Sequence, residues 1–168
     1  MGVDDLKYLL CGLVLAAGPM ACDVEPHDPP LTQPRSADEV LDLIEGWEDW
    51  SDAPGWDGIA ASVVAPGAYV EERLSPAYVR WIEEGAKGPI PDDAAIVRPV
   101  YETPDPESIQ SLTVMVRGGN SELGGWEWAK LGLDGEVLVG TDEGGEACAS
   151  CHIAAADNDY MLGFDVGR

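Results

Sequence analysis

The stretch Cys148-Ala149-Ser150-Cys151-His152, near the C-terminus, limits what this chain can be more than any other. Residues three and four apart share one face of a helix, so a helix here would present both thiols and the imidazole together. Cys-x-x-Cys-His is the attachment pattern of a c-type haem. Each thiol can form a thioether to a vinyl group on one porphyrin edge, and the imidazole that follows is carried to the iron as an axial ligand. The expected cofactor is therefore one covalent haem c, with Cys148 and Cys151 as attachment points and His152 on the metal. Two other readings use the same residues. One is a redox or structural disulfide between Cys148 and Cys151. The other is half of a zinc site, whose further ligands would have to be Cys11, Cys22 or His27, all near the N-terminus. A thioredoxin-type motif usually sits by a βαβ pattern, and the sequence has none.

The start of the chain reads as an export leader. Lys7 precedes an apolar run, Tyr8 to Ala17, too short to span a bilayer and suited to a signal h-region. Asp4 and Asp5 are unusual in an n-region. Cys22, after Ala21, is a candidate lipoprotein cysteine, cut on its N-terminal side and acylated, although Pro19 stands where Leu is usual. The alternative is a plain secreted protein with an unpaired Cys22. The expected organisation is a lipoprotein-type signal peptide over 1–21, a Pro-rich tether over 22–35 and one domain over 36–168. Pro26, Pro29, Pro30 and Pro34 make the tether extended. The expected location is the periplasm or cell envelope, with the membrane touched through a lipid anchor alone. Covalent haem attachment takes place outside the bacterial cytoplasm, so leader and motif agree.

The formal charge of −23 argues against nucleic acid or an anionic membrane surface as a partner. It suits a cationic redox partner and, equally, plain solubility.

Ser36 and Glu39 form a capping box ahead of a helical stripe of Val40, Leu41, Leu43, Ile44, Trp47 and Trp50. Pro66-Gly67 turns into a strand expected over Ala68–Leu74. Ser75-Pro76 starts a second helix, with Tyr78, Val79, Trp81 and Ile82 as its apolar face and Gly85 as its stop. Further strands follow over Ala95–Glu102, where Pro99 suggests an edge or a bulge, around Leu112–Val116, and around Trp126 and Trp128. Asp134-Gly135 turns the last of these into Glu136–Val139. The predicted class is α+β, a mainly antiparallel β-sheet with flanking helices and a C-terminal haem-binding helix. A haem motif at the C-terminal end of a sheet does not fit the nearly all-helical soluble carriers, nor the four-helix c-prime bundles.

The chain resembles the cytochrome P-460 family, which includes the cytochromes c-prime-beta. The likeness runs from about Ala65 to Phe164. It rests on Pro66-Gly67-Ala68-Tyr69-Val70, on Pro91-Asp92-Asp93-Ala94-Ala95-Ile96-Val97-Arg98, and on Gly125-Trp126-Glu127-Trp128 followed by Asp134-Gly135. Cys148–His152 and Asp159-Tyr160 complete the order. The resemblance implies a five-coordinate haem, a homodimer, and either nitric oxide binding or oxidation of hydroxylamine, a small nitrogen-oxide ligand in each case. It also implies that Tyr160 and Phe164 can wall the haem. The alternative is a six-coordinate electron-transfer cytochrome c with Met115 or Met161 as sixth ligand, or with both as core filler.

The family's enzymatic members carry a lysine cross-linked to the porphyrin, and the matching strand here holds Arg98. Asp93 replaces an expected Gly. Arg98 is thus a candidate distal hydrogen-bond donor, or simply a solvated strand residue. After the leader the lysines are Lys87 and Lys130; Lys130 is expected on the outside of its hairpin and Lys87 in a loop. The expectation is a protein without the cross-link.

Overall fold

Helix α1 (Ala37–Leu43) starts as its sequence requires: the Ser36 hydroxyl accepts from the Glu39 amide at 3.3 Å, and Glu39 accepts from the Ser36 amide at 2.7 Å. A helix this short has little stability alone. It is held by Val40 and Ile44, both buried, each contributing about 1.5–3 kcal/mol through removal from water. These features come from a computed structural model, which describes residues 34–64, 66–119, 124–140 and 145–165. All of them belong to one compact unit, Leu31–Arg168. The leader, Cys11, Cys22, His27 and the tether as far as Gln33 lie outside the described residues, as do Asp142 and Glu143.

The described strands are β1 (Ser51–Asp52), β2 (Ala60–Ala61), β3 (Tyr69–Val70), β4 (Arg73–Leu74), β5 (Ala95–Tyr101), β6 (Ile109–Arg117), β7 (Trp126–Gly132) and β8 (Val137–Val139). They form one antiparallel sheet in the order β1-β4-β5-β6-β7-β8, with β3 also on β5 and β2 on β3. Side chains alternate between the two faces. On one face Val97, Val114, Val116, Ala129 and Leu131 pack against Val40 and Ile44 of α1. On the other Leu74, Ile96, Met115, Trp126 and Trp128 pack against Tyr78 and Trp81 of α2 (Pro76–Glu83) and Ala149 of α3 (Gly145–His152). The class is α+β with an antiparallel sheet and a C-terminal helix, as the pattern predicts. Ser75 caps α2 by accepting from the Tyr78 amide, Pro76 occupies the first turn, and Gly85 follows the helix at φ +86°.

Two strand expectations need correction. The expected strand Ala68–Leu74 is two short strands, broken at Glu71 and Glu72. Pro99 does not mark an edge, because β5 lies inside the sheet; the register shift falls one residue later, at Val100/Tyr101. The two departures have one cause. The Pro99 carbonyl accepts from the Glu71 amide at 3.3 Å, and a strand residue points its N and O to the same neighbour. Proline has no donor to return to Glu71, so that one ladder bond is lost and β3 parts from β4 there, although both keep the same register against β5.

The domain also begins before Ser36. Arg35, placed by the sequence in the tether, donates to the carboxylate of Glu127 at 2.8 Å, to that of Asp93 at 2.6 Å and to the Arg117 carbonyl at 3.1 Å. Glu127 is 3 % exposed, so this guanidinium balances a buried charge.

Candidate functional site

On α3 the cysteines stand three residues apart and His152 is the helix's last residue, so all three side chains fall on adjoining positions of one face. Ala149 is buried in the core cluster that includes Ile96, Met115 and Trp128, and Cys148 packs against the same cluster. Cys148, Cys151 and His152 line a cavity of about 250 Å³ between α3 and the sheet. Both thiols are free, Cys148 half-buried and Cys151 exposed, so the disulfide reading finds no bridge here. Among the described residues no group of three or more His, Cys, Asp and Glu side chains is placed to hold a metal ion.

The sheet wall of the cavity is built in two rows. Ile96, Met115 and Trp128 lie opposite one another across β5, β6 and β7, and Arg98, Thr113, Lys130 and Val139 form the next row. Directly paired strand residues share a face. All of the first row line the cavity, and so do Arg98, Thr113 and Val139 of the second. Lys130 therefore stands on the same side of the sheet as the thiols, not on the outside of the hairpin. Its charge favours the thiolate of Cys148, although burial and then the neighbouring Cys151 push that thiol above its ordinary value. Lys87 is not among the residues that line the cavity.

Arg98, the residue at the expected cross-link position, lines the cavity but is not a solvated strand residue. Its guanidinium donates to Glu72 at 2.7 Å and lies over the Trp56 ring at 5.6 Å. Glu72 lines the same cavity and its carboxylate is packed against the backbone of Gly163, where a methyl group would overlap it. The sequence reading missed Glu72. The signal available was two adjacent acids at the centre of an apolar strand, positions that must either break the strand or find a cation.

His152 is oriented from behind. Its Nδ1 lies 2.7 Å from the Tyr160 carbonyl oxygen. A carbonyl only accepts, so the proton sits on Nδ1 and the Nε2 lone pair is left for a ligand role. The Trp128 ring meets the imidazole edge-on at 4.5 Å between centroids. Burial lowers the His152 pKa, with the Tyr160 bond opposing and the charges of Arg98 and Glu72 acting in opposite senses. The ring is thus neutral at pH 7, as a ligating imidazole must be.

The methionines separate. Met115 lines the cavity, whereas Met161 is buried in the core and does not. Phe164 packs edge-on against Tyr78, 6.1 Å between centroids, and Tyr160 contributes its carbonyl; neither ring is part of the cavity wall. Trp81 and Trp126 are core residues, and Trp47 and Trp50 pack on the far face of the sheet. The indole N–H of Trp128 is buried with no hydrogen-bond partner among the described residues, an orphan donor in the cavity wall. No family model matches the chain, and no curated protein does.

Two thiols and one imidazole on the wall of a cavity suit a thiol-attached group better than a bare ion. The thiols and the neutral imidazole adjoin on one wall, Ile96, Met115, Trp128 and Val139 are its apolar part, Glu72, Arg98 and Thr113 its polar part, and Lys130 stands in the row of Arg98 and Thr113. Among the described residues no helix is long and apolar enough to cross a membrane.

Proposed function

We propose that this chain is an exported c-type haem protein of the cytochrome P-460 kind, whose single haem binds nitric oxide or reacts with small nitrogen oxides such as hydroxylamine. The observation that carries the reading is the convergence of Cys148, Cys151 and His152 on one cavity, with the His152 proton committed to the Tyr160 carbonyl. The thiols would hold the porphyrin edge and Nε2 of His152 would take one axial position. When bound, the haem supplies a metal centre that takes up a small ligand and changes oxidation state by one electron.

The chain's own residues define what reaches that centre. Ile96, Met115 and Trp128 exclude water from the sheet side. Arg98 offers fixed N–H donors to a haem carboxylate or to a small polar ligand, while Glu72 holds the guanidinium in place. A guanidinium stays protonated and is a poor nucleophile, so Arg98 binds and orients and does not form the lysine-type cross-link. This favours ligand binding over rapid hydroxylamine oxidation. The further elements of the proposal are a lipid anchor at Cys22, a periplasmic or envelope location, a homodimer and a cationic redox partner for the acidic surface.

A second reading, a six-coordinate electron carrier, is favoured by the Met115 thioether in the cavity wall. Optical spectra of the haem-loaded protein separate the two. A high-spin spectrum that changes on adding nitric oxide supports the first, and a low-spin spectrum with a sulfur-to-iron band supports the second. Denatured protein, co-expressed with haem-maturation machinery, should retain its haem stain. An intact mass equal to that of the bare chain would overturn both.

A further inference from the structure

We infer that the Asp159–Tyr160 turn is a strained backbone clamp whose task is to fix the His152 ring, so that Asp159 and Tyr160 are positioning residues for the axial ligand. The inference rests on the haem reading above for its purpose, but the clamp itself is a property of the chain. After α3 comes a 3-10 segment (Ile153–Asn158), kinked at Ala155 where the backbone leaves helical geometry. Two consecutive non-glycine residues then enter the left-handed region, Asp159 at φ +56° and Tyr160 at φ +66°. They reverse the chain and bring the Tyr160 carbonyl back to Nδ1 of His152.

For tyrosine this conformation is strained, and glycine would adopt it freely. A turn needing only reversal would be expected to use glycine. Here both side chains are used instead. The Asp159 carboxylate lies 3.6 Å from the guanidinium of Arg117 on β6, and the indole N–H of Trp126 donates to the Asp159 carbonyl at 3.1 Å. The Tyr160 ring fills the space over Gly124, where any Cβ would overlap it. Its centroid is 6.4 Å from that of Trp128, which also meets the imidazole. The sheet thus grips the turn at three points, and the turn grips the histidine at one. Strain concentrated beside a ligand and over-determined by its surroundings is the pattern of a pre-organised site. A hydrogen bond to the far nitrogen of a ligating imidazole fixes its tautomer and raises its basicity.

The test uses the full chain in two forms. In the haem-free chain, 15N spectra of His152 should show the proton on Nδ1, the less common tautomer for a solvated ring. In the haem-loaded chain, Tyr160→Gly removes the ring and the strain, and Arg117→Gln removes the cation that faces Asp159 and binds the Gly124 carbonyl. Each should lower and broaden the ferrous iron–histidine stretching band. Each should also cut the preference for the ferric form about tenfold, a rise in potential of about 59 mV for one electron. Tyr160→Phe should behave as wild type. A proton on Nε2 of the haem-free chain, or an unchanged band and potential in both releasing variants, would overturn the clamp. Absence of covalent haem would overturn the haem reading and leave the tautomer measurement to decide the clamp alone.

Discussion

Arg98 and Glu72 form a buried ion pair, 2.7 Å between Nη2 and Oε2, with side chains 14 % and 6 % exposed, in the wall of the cavity that holds Cys148 and His152. The pair joins strand β5 to the break before β4. It explains how a run of two acids is tolerated where the sequence otherwise reads as an apolar strand. Such a pair contributes little net stability over an apolar replacement, but losing one partner strands the other.

Arg98→Ala is therefore expected to destabilise the domain by about 3–5 kcal/mol, since it leaves the Glu72 carboxylate buried without its cation. Replacing both, Glu72→Gln with Arg98→Met, should cost less than Arg98→Ala alone. Urea unfolding of the wild type and the two variants measures this. Equal losses in the single and double variants would show that the pair is not coupled.

Tyr101 gives the fold an alkaline limit. Burial, then its donation to Glu71 at 3.0 Å, raises the phenol above its ordinary value of about 10. A group whose folded pKa is raised contributes stability that is complete below the unfolded pKa and is lost as the pH rises toward the folded one. Thermal unfolding should thus show a melting temperature that starts to fall above about pH 10. Tyr101→Phe should flatten that fall. A fall of the same slope in the variant would assign it to other groups.

At Asp93 two effects oppose each other. The residue sits at φ +66°, the reason a glycine suits this position, and its carboxylate pairs with Arg35 while 64 % exposed. Asp93→Gly relieves roughly 1 kcal/mol of backbone strain and loses about 0.2–1 kcal/mol of surface ion pair, so its stability should be close to wild type. Asp93→Ala loses the pair and keeps the strain, and should be the less stable of the two in urea unfolding.

The intact haem-loaded protein should have the mass of the chain plus one unmodified haem, and its ferrous band should lack the red shift of the cross-linked family members. Lys130 is the amine to examine, because it shares a row with Arg98 and Thr113. A tryptic peptide joining Lys130 to haem would refute the expectation and move the function toward hydroxylamine oxidation.

What the sequence made legible was local. The Ser36–Glu39 box, the Ser75-Pro76 start, the Asp134-Gly135 turn and the Cys148–His152 face each depend on neighbours a few residues away. The split between β3 and β4 had only a partial mark in the adjacent acids Glu71 and Glu72, because Pro99, which faces the break, lies in a strand that follows much later. Two-residue strands such as β1 and β2 carry no periodicity to read. Lys130 is a different case. Trp126, Trp128 and Lys130 alternate in step, so the face was written in the pattern, and the charge of the lysine drew the reading outward. Glu72 was marked by its place beside Glu71 in an apolar stretch, but its partner Arg98 is distant, and the Tyr160 carbonyl could not be found by residue type because it belongs to the backbone.

Arg35 has a mechanical consequence. Glu127 lies between Trp126 and Trp128, so Arg35 is fastened to the sheet face opposite the one that α3 covers. A pull arriving at Pro34 would meet the contacts of Arg35 with Glu127, Asp93 and the Arg117 carbonyl before it reached the helix that carries Cys148, Cys151 and His152.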